Sequence, residues 1–141
     1  MAEGQRLTTK SDSEIALGLY RKMGLTFTEE LRGEFAFALY DQARDELILV
    51  RDRFGVRPLF FTVQQDTLIW GSEIKAILAH PHITPQLDSQ AILHQLMQTI
   101  VPGTSAFKDV HQIQPGHFLR IQRKGGRLQI ETHRYWDLEF P

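Results

Sequence analysis

Hydrophobic positions along this chain change period three times, and the changes separate helical from extended segments. Ile15, Leu19 and Met23, with Leu17 and Tyr20 beside them, recur at helical spacing and predict a helix with one broad buried face. Ser11 stands three residues before Glu14, the spacing of a capping box, and Gly24 stands where a helix-ending glycine belongs. Residues Met1 to Lys10 read as a polar lead or the remnant of a strand. A short helical piece around Thr28 to Leu31 follows the first helix. From Gly33 the texture turns to strands. Phe35 to Tyr40 is a nearly continuous apolar run, which predicts a strand covered on both faces. Asp41 to Glu46 is a polar connector, and Leu47 to Val50 completes a hairpin. Arg51 to Arg57 is a glycine-containing loop closed by Pro58. Leu59 to Val63 and Thr67 to Trp70 form a second hairpin around Gln64, Gln65 and Asp66. Glu73 to His80 is a short helix stopped by Pro81. Asp88 is the N-cap of another, which carries Ile92, Leu93, Leu96 and Met97 on its apolar face. His117 to Gln122 and Arg127 to Thr132 flank the turn Arg123-Lys124-Gly125-Gly126. The aromatic ending at Tyr135 and Trp136 requires a surface to pack on.

Hairpins and helices without a regular βαβ alternation predict an α+β fold of layered, mainly antiparallel sheets. Strands covered on both faces call for helices on one side and a further layer on the other. The chain has 141 residues, the size of a single domain spanning 1–141. Its 42% hydrophobic and 23% charged composition is that of a globular protein whose core needs no disulfide or metal. A net charge of −1 gives no overall drive toward nucleic acid or an anionic membrane. No apolar run approaches the length of a membrane span, and the polar N-terminus carries no secretory signal. A cytoplasmic location is expected.

Cysteine is absent, which removes disulfides, thiolate metal sites and a cysteine nucleophile from these 141 residues. Of the six histidines, His80 and His82 flank a proline, but no acidic residue lies at metal-ligand spacing from them. Satisfied or solvated histidines are the expectation, with no metal. Ser11, Ser13 and Ser72 have no histidine base nearby in sequence, so there is no serine-hydrolase signature. Gly103, Gly125 and Gly126 are turn glycines rather than a phosphate loop.

Four segments together resemble one known family. They are Ser11-Asp12-Ser13-Glu14, Gly33 to Asp41 (Gly-Glu-Phe-Ala-Phe-Ala-Leu-Tyr-Asp), Arg51 to Leu59 (Arg-Asp-Arg-Phe-Gly-Val-Arg-Pro-Leu) and Gly71 to Leu78 (Gly-Ser-Glu-Ile-Lys-Ala-Ile-Leu). In this order and spacing they are similar to the N-terminal glutaminase domain of glutamine-hydrolysing asparagine synthetases, a class II glutamine amidotransferase. Pro115-Gly116-His117 and Tyr135-Trp136-Asp137 resemble the end of that domain. The resemblance implies a four-layer αββα sandwich of the N-terminal-nucleophile (Ntn) hydrolase type. Because the match starts at about Thr9, it also implies that the domain is incomplete at its beginning.

In that family an N-terminal cysteine attacks the glutamine carboxamide, with its own α-amino group as base. An upstream arginine stretch binds the substrate carboxylate and an Asn-Gly pair forms the oxyanion hole. None of these has a counterpart here, so no catalytic residue is expected and the chain alone is expected to be inactive. One substrate contact carries over: Asp12 matches the aspartate that receives the α-ammonium of glutamine through a charge-assisted hydrogen bond. As a residue at a helix start, Asp12 also suits the helix dipole. Arg51, Asp52 and Arg53 read as a glutaminase-site or ammonia-route loop, or, the favoured reading, as an ion-paired loop fixing two hairpins. Ser72, Glu73 and Lys75 read equally as an interface toward a synthetase domain or as the solvated first turn of a helix. No cofactor is expected in this chain, since the family's ATP and Mg belong to the synthetase domain. The expected partners are weakly bound L-glutamine, a synthetase domain or partner chain, and further copies joined through exposed strand edges. The alternative function is a non-catalytic amino-acid-binding or protein-interaction module.

Overall fold

A computed structural model of the chain describes residues 12–99 and 101–139. The polar lead Met1 to Lys10 and the capping residue Ser11 lie outside the described residues. Helix α1 spans Asp12–Met23. It ends at Gly24, whose φ of 63° is the left-handed value for which glycine is suited. A 3₁₀ turn, Gly24–Thr26, leads directly into the short α2, Phe27–Glu30. The buried stripe of α1 is Ala16 and Tyr20, one turn apart, with Leu19 partly buried beside them. Ile15 and Met23, expected inside, are exposed. The helix is rotated from the expected face because Tyr20 meets Phe27 edge-on at 5.5 Å between ring centroids.

Seven strands form two sheets. They are β1 (Ala36–Asp41), β2 (Glu46–Arg51), β3 (Phe60–Gln64), β4 (Thr67–Gly71), β5 (His111–Gln112), β6 (His117–Lys124) and β7 (Arg127–Arg134). The first sheet has the order β1-β2-β6-β7 and the second β4-β3-β5, with every pairing antiparallel. Strand β2 is the two-faced core strand. Ile48 and Val50 join Ala16, Tyr20, Phe27, Leu39 and Phe118 on the helix side. Leu49, between them in sequence, joins Leu59, Ile113, Leu119 and Ile121 on the side of the second sheet. Helix α3, Ile74–Leu78, contacts β3 and β4 and buries Ile77 completely. The order of layers is therefore helix, sheet, sheet, helix, as expected. The strand predicted to be covered on both faces, β1, is not. It is an edge strand among the described residues, and its Ala38 and Tyr40 are exposed.

The first hairpin is held by a polar network on the helix side. Glu46, 1% exposed, accepts from Arg120 Nε at 2.6 Å, from Gln122 Nε2 at 2.9 Å and, at 3.5 Å, from the Tyr20 hydroxyl. Tyr20 also donates to Asp41 at 2.9 Å. Arg44 and Tyr20 together hold the Asp41 carboxyl below the ordinary carboxylate range. A buried carboxylate is tolerated when each lone pair is met in this way. Replacing Glu46 with alanine should cost about 2 kcal/mol, the loss of charge-assisted hydrogen bonds from a buried site. Leu49→Ala, at a fully buried position, should cost about 3 kcal/mol through lost packing and a cavity. Urea denaturation checks both: each midpoint should fall with an unchanged slope.

Candidate functional site

The exposed side of β1 opens a groove. Ala38 and Tyr40 alternate with the helix-side Phe37 and Leu39, so they point toward the second sheet. The second sheet does not cover them, and a concavity of about 1070 Å³ runs along the strand. Three elements close it. Ser13, Ile15 and Leu17 of α1 form one wall, Arg32 to Phe35 one end, and Arg57, Pro58, Ser72 and Glu73 the other wall. The four sequence segments, separated by up to about sixty residues, thus all contribute to one groove.

The Arg51–Arg57 loop is what positions the far wall. Asp52, 1% exposed, accepts three backbone N–H groups: Phe54 at 3.1 Å, Val56 at 3.0 Å and Arg57 at 2.9 Å. Its neighbour Arg51 spreads its guanidinium over three carbonyls: Arg57 at 2.9 Å, Gly55 at 2.6 Å and Ile113 at 2.5 Å. Burial draws the Arg51 guanidinium below its ordinary pKa, partly opposed by Asp52. The loop was expected to be ion-paired. Instead, both charges bind main chain, because their backbone donors and acceptors are buried and would otherwise be unmet. Arg53 lies over the Trp136 ring at 5.5 Å and donates to the Glu29 carbonyl at 2.8 Å. Arg57 then faces Glu34 across the groove at 3.5 Å.

The C-terminal aromatics lock this loop in place, as their expected need for a packing surface requires. The Tyr135 hydroxyl donates to the Arg51 carbonyl at 2.6 Å, and burial pushes its phenol well above the ordinary tyrosine range. Trp136 meets Phe54 edge-on at 5.0 Å. Gly116 donates to the Asp52 carbonyl at 2.9 Å with φ of 67°, and a Cβ there would stand 2.5 Å from the Trp136 carbonyl oxygen. Gly55, at φ of 65°, would set a Cβ 2.7 Å from Pro115. Sequence reading found the motifs but not these cross-links. Tyr135 and Arg51 are 84 positions apart, and no local spacing signals their contact.

Asp12 opens α1, next to the groove-lining Ser13; its side chain lies outside the described residues. Ser72 and Glu73 line the groove, whereas Lys75 turns to a solvated ion pair with Glu73 at 2.6 Å. His80 and His82 pack edge-on at 5.1 Å, and among the described residues no group of three or more potential ligands could hold a metal ion. The groove lining includes hydroxyls from Ser13, Ser72 and Tyr40 but no histidine. It therefore offers charges of both signs and an unpaired strand edge, but no activated nucleophile among the described residues.

Residues 1–136 match the family model of the glutamine amidotransferase domain. The chain belongs to that family. The amidotransferase domain is 37% identical over 140 residues to asparagine synthetase [glutamine-hydrolyzing] 3 of Bacillus subtilis, covering 98% of this chain and 22% of that protein. It is 40% identical over 141 residues to amidase chry2 of Gibberella zeae, covering 100% of this chain and 20% of that one. The chain thus spans about a fifth of the length of the curated relatives it matches. In fold it matches glutamine phosphoribosylpyrophosphate amidotransferase from B. subtilis at a TM-score of 0.60 and 19% identity, covering 95% of this chain and 24% of that one. The architecture is that of a glutamine amidotransferase domain, and the domain resembles the glutaminase domain of asparagine synthetases.

The clamp generates a measurable expectation. Asp52→Ala leaves three inward N–H groups without their acceptor and should cost roughly 3 kcal/mol. Gly116→Ala should also destabilise, and should displace Trp136 from Phe54. Thermal denaturation with intrinsic tryptophan fluorescence reads both: a lowered midpoint for each variant and, for Gly116→Ala, an altered native emission.

Proposed function

We propose that this chain is the glutamine-holding scaffold of a glutamine-hydrolysing, asparagine-synthetase-like enzyme. In such an enzyme, glutamine hydrolysis supplies ammonia for ATP-dependent amidation of aspartate. The observation that carries this reading is the convergence of the four motif segments on one groove beside β1, in a chain of this family. Asp12, at the groove's helical wall, is the residue we assign to the glutamine α-ammonium. A carboxylate there gains from a charge-assisted bond with the ligand's cation.

The same reading makes these 141 residues inactive on their own. Amide hydrolysis by this family's chemistry needs a thiolate, and the chain contains no cysteine. Completion of the site then falls to further polypeptide, and the edge of β1, which no described strand pairs, is where an added strand would gain main-chain hydrogen bonds. A module that binds an amino acid or a partner strand without turnover is the second reading, favoured by that edge and its groove. ATP, Mg and a synthetase partner belong to polypeptide outside this stretch.

Ammonia release from L-glutamine by the purified chain should not exceed that of an Asp12→Ala control. Turnover above that control would overturn the proposed inactivity. Isothermal titration should detect weak L-glutamine binding that Asp12→Ala abolishes. Equal binding by both proteins would remove Asp12 from its role, and no binding by either would leave the strand-partner reading as the better one.

A further inference from the structure

Exposed apolar side chains fall into two groups. Helix α4, Ser89–Leu96, turns Leu93, Leu96 and its C-cap Met97 outward, although an apolar face of this kind ordinarily meets the core. Ala91 is the residue that α4 buries. The second group, Phe54 and Val56, stands on the loop that positions the groove's far wall. There the apolar surface is tied to the chain's exit from the fold.

Among the described residues, Trp136 is the last whose main chain and ring are both tied to distant parts of the fold. The Gly116 carbonyl accepts from Tyr135 at 2.9 Å and from Trp136 at 3.3 Å. Asp137, Leu138 and Glu139 beyond it are exposed, and Asp137 pairs locally with Arg134. Two routes lead from Trp136 to the groove. One runs through Phe54 and Gly116 to Asp52, whose carboxylate accepts the Arg57 N–H. The other runs through Arg53, which lies over the indole and donates to the Glu29 carbonyl at the end of α2. That carbonyl also accepts from Arg32. Arg32 and Arg57 both line the groove, and Arg57 meets Glu34, two residues beyond Arg32, at 3.5 Å. The routes therefore close into a ring, with Trp136 on one side and the groove on the other.

The ring is stiff except at one member. Asp52 meets three N–H groups and Arg51 three carbonyls. Arg53, by contrast, has a buried Nε with no acceptor among the described residues. A buried charged donor left unmet carries a desolvation cost. Arg53 is thus held by one carbonyl and the indole face, and loss of the indole favours its return to water.

We propose that Trp136 is a latch that couples the path of the chain leaving the domain to the width of the groove. In the latched arrangement Arg53 bridges the indole and the end of α2, and the 54–57 turn is pinned beneath the ring. Displacing Trp136 through residues 137–139 releases Arg53 to solvent and loosens the turn, so the Arg57 wall moves away from Glu34. The coupling is reciprocal: a charged ligand that takes Arg57 from Glu34 alters the surroundings of Trp136. The latch requires the groove but not glutamine as its ligand, so it and the proposed function can fail separately.

The chain has no cysteine, so spin labels can be set on two introduced ones, Ser13→Cys on the α1 wall and Val56→Cys on the loop, both exposed. Double electron–electron resonance should give a narrow distribution of distances between them. Trp136→Ala should roughly double its width, and Trp136→Phe, which keeps a ring for Arg53 and Phe54, should restore most of the narrowness. Leu49→Ala, which costs stability in the core, should leave the width unchanged. If Trp136→Ala does not fold, Arg53→Met takes its place; it keeps the stem, removes the charge over the indole and should broaden the distribution. In the reverse direction, Trp70→Phe leaves Trp136 as the single tryptophan. In that background Arg57→Ala should shift the emission maximum. An unchanged width in the folded latch variant would overturn the inference. So would equal broadening in Leu49→Ala, or an emission maximum that Arg57→Ala does not move.

Discussion

Two adjacent residues of opposite charge, Arg51 and Asp52, hold the structure's separate parts together by binding main chain instead of each other. Their side chains meet six backbone groups from the 54–57 turn and from Ile113. Their own main-chain groups bond to Phe35, Gly116 and Tyr135. The start of β1, the end of β2, the approach to β6 and the C-terminal aromatics all meet at this point. Buried peptide groups without partners are costly, so a loop that satisfies so many at once has little freedom to rearrange. That rigidity fixes where Arg57 and Pro58 stand, and hence the wall of the groove.

The groove itself follows from a mismatch between the two sheets. The first sheet has four strands against the second's three, and β1 is its edge strand among the described residues. What results is a surface with main-chain hydrogen-bonding capacity, apolar walls and charges of both signs. Such a surface has the chemistry to meet a zwitterionic ligand or an additional strand.

Exposed apolar surface is distributed unevenly. At Phe54 and Trp136 it is organised by an edge-on ring contact and a cation over the indole face. On α4 the leucines have no comparable internal partner among the described residues, and the surrounding stretch carries no formal charge. The contrast is between surface used to hold a loop and surface that no described residue covers.

Local chemistry alone determined much of this protein. Period-two and helical patterns placed the hairpins, α1 and α4; Gly24 ended α1; Asp88 capped α4 as its position required. The absence of cysteine was decided by composition, and the four motif segments were legible as motifs. Tertiary structure decided what those segments do. Whether Arg51 and Asp52 pair with each other or with the backbone depends on buried groups up to 62 positions away, which spacing does not encode. Hydrophobicity showed that α4 had an apolar face, but not which way it turned. A helix buries its apolar stripe only where a neighbouring layer exists to receive it, and where each layer ends is a property of the assembled sheets.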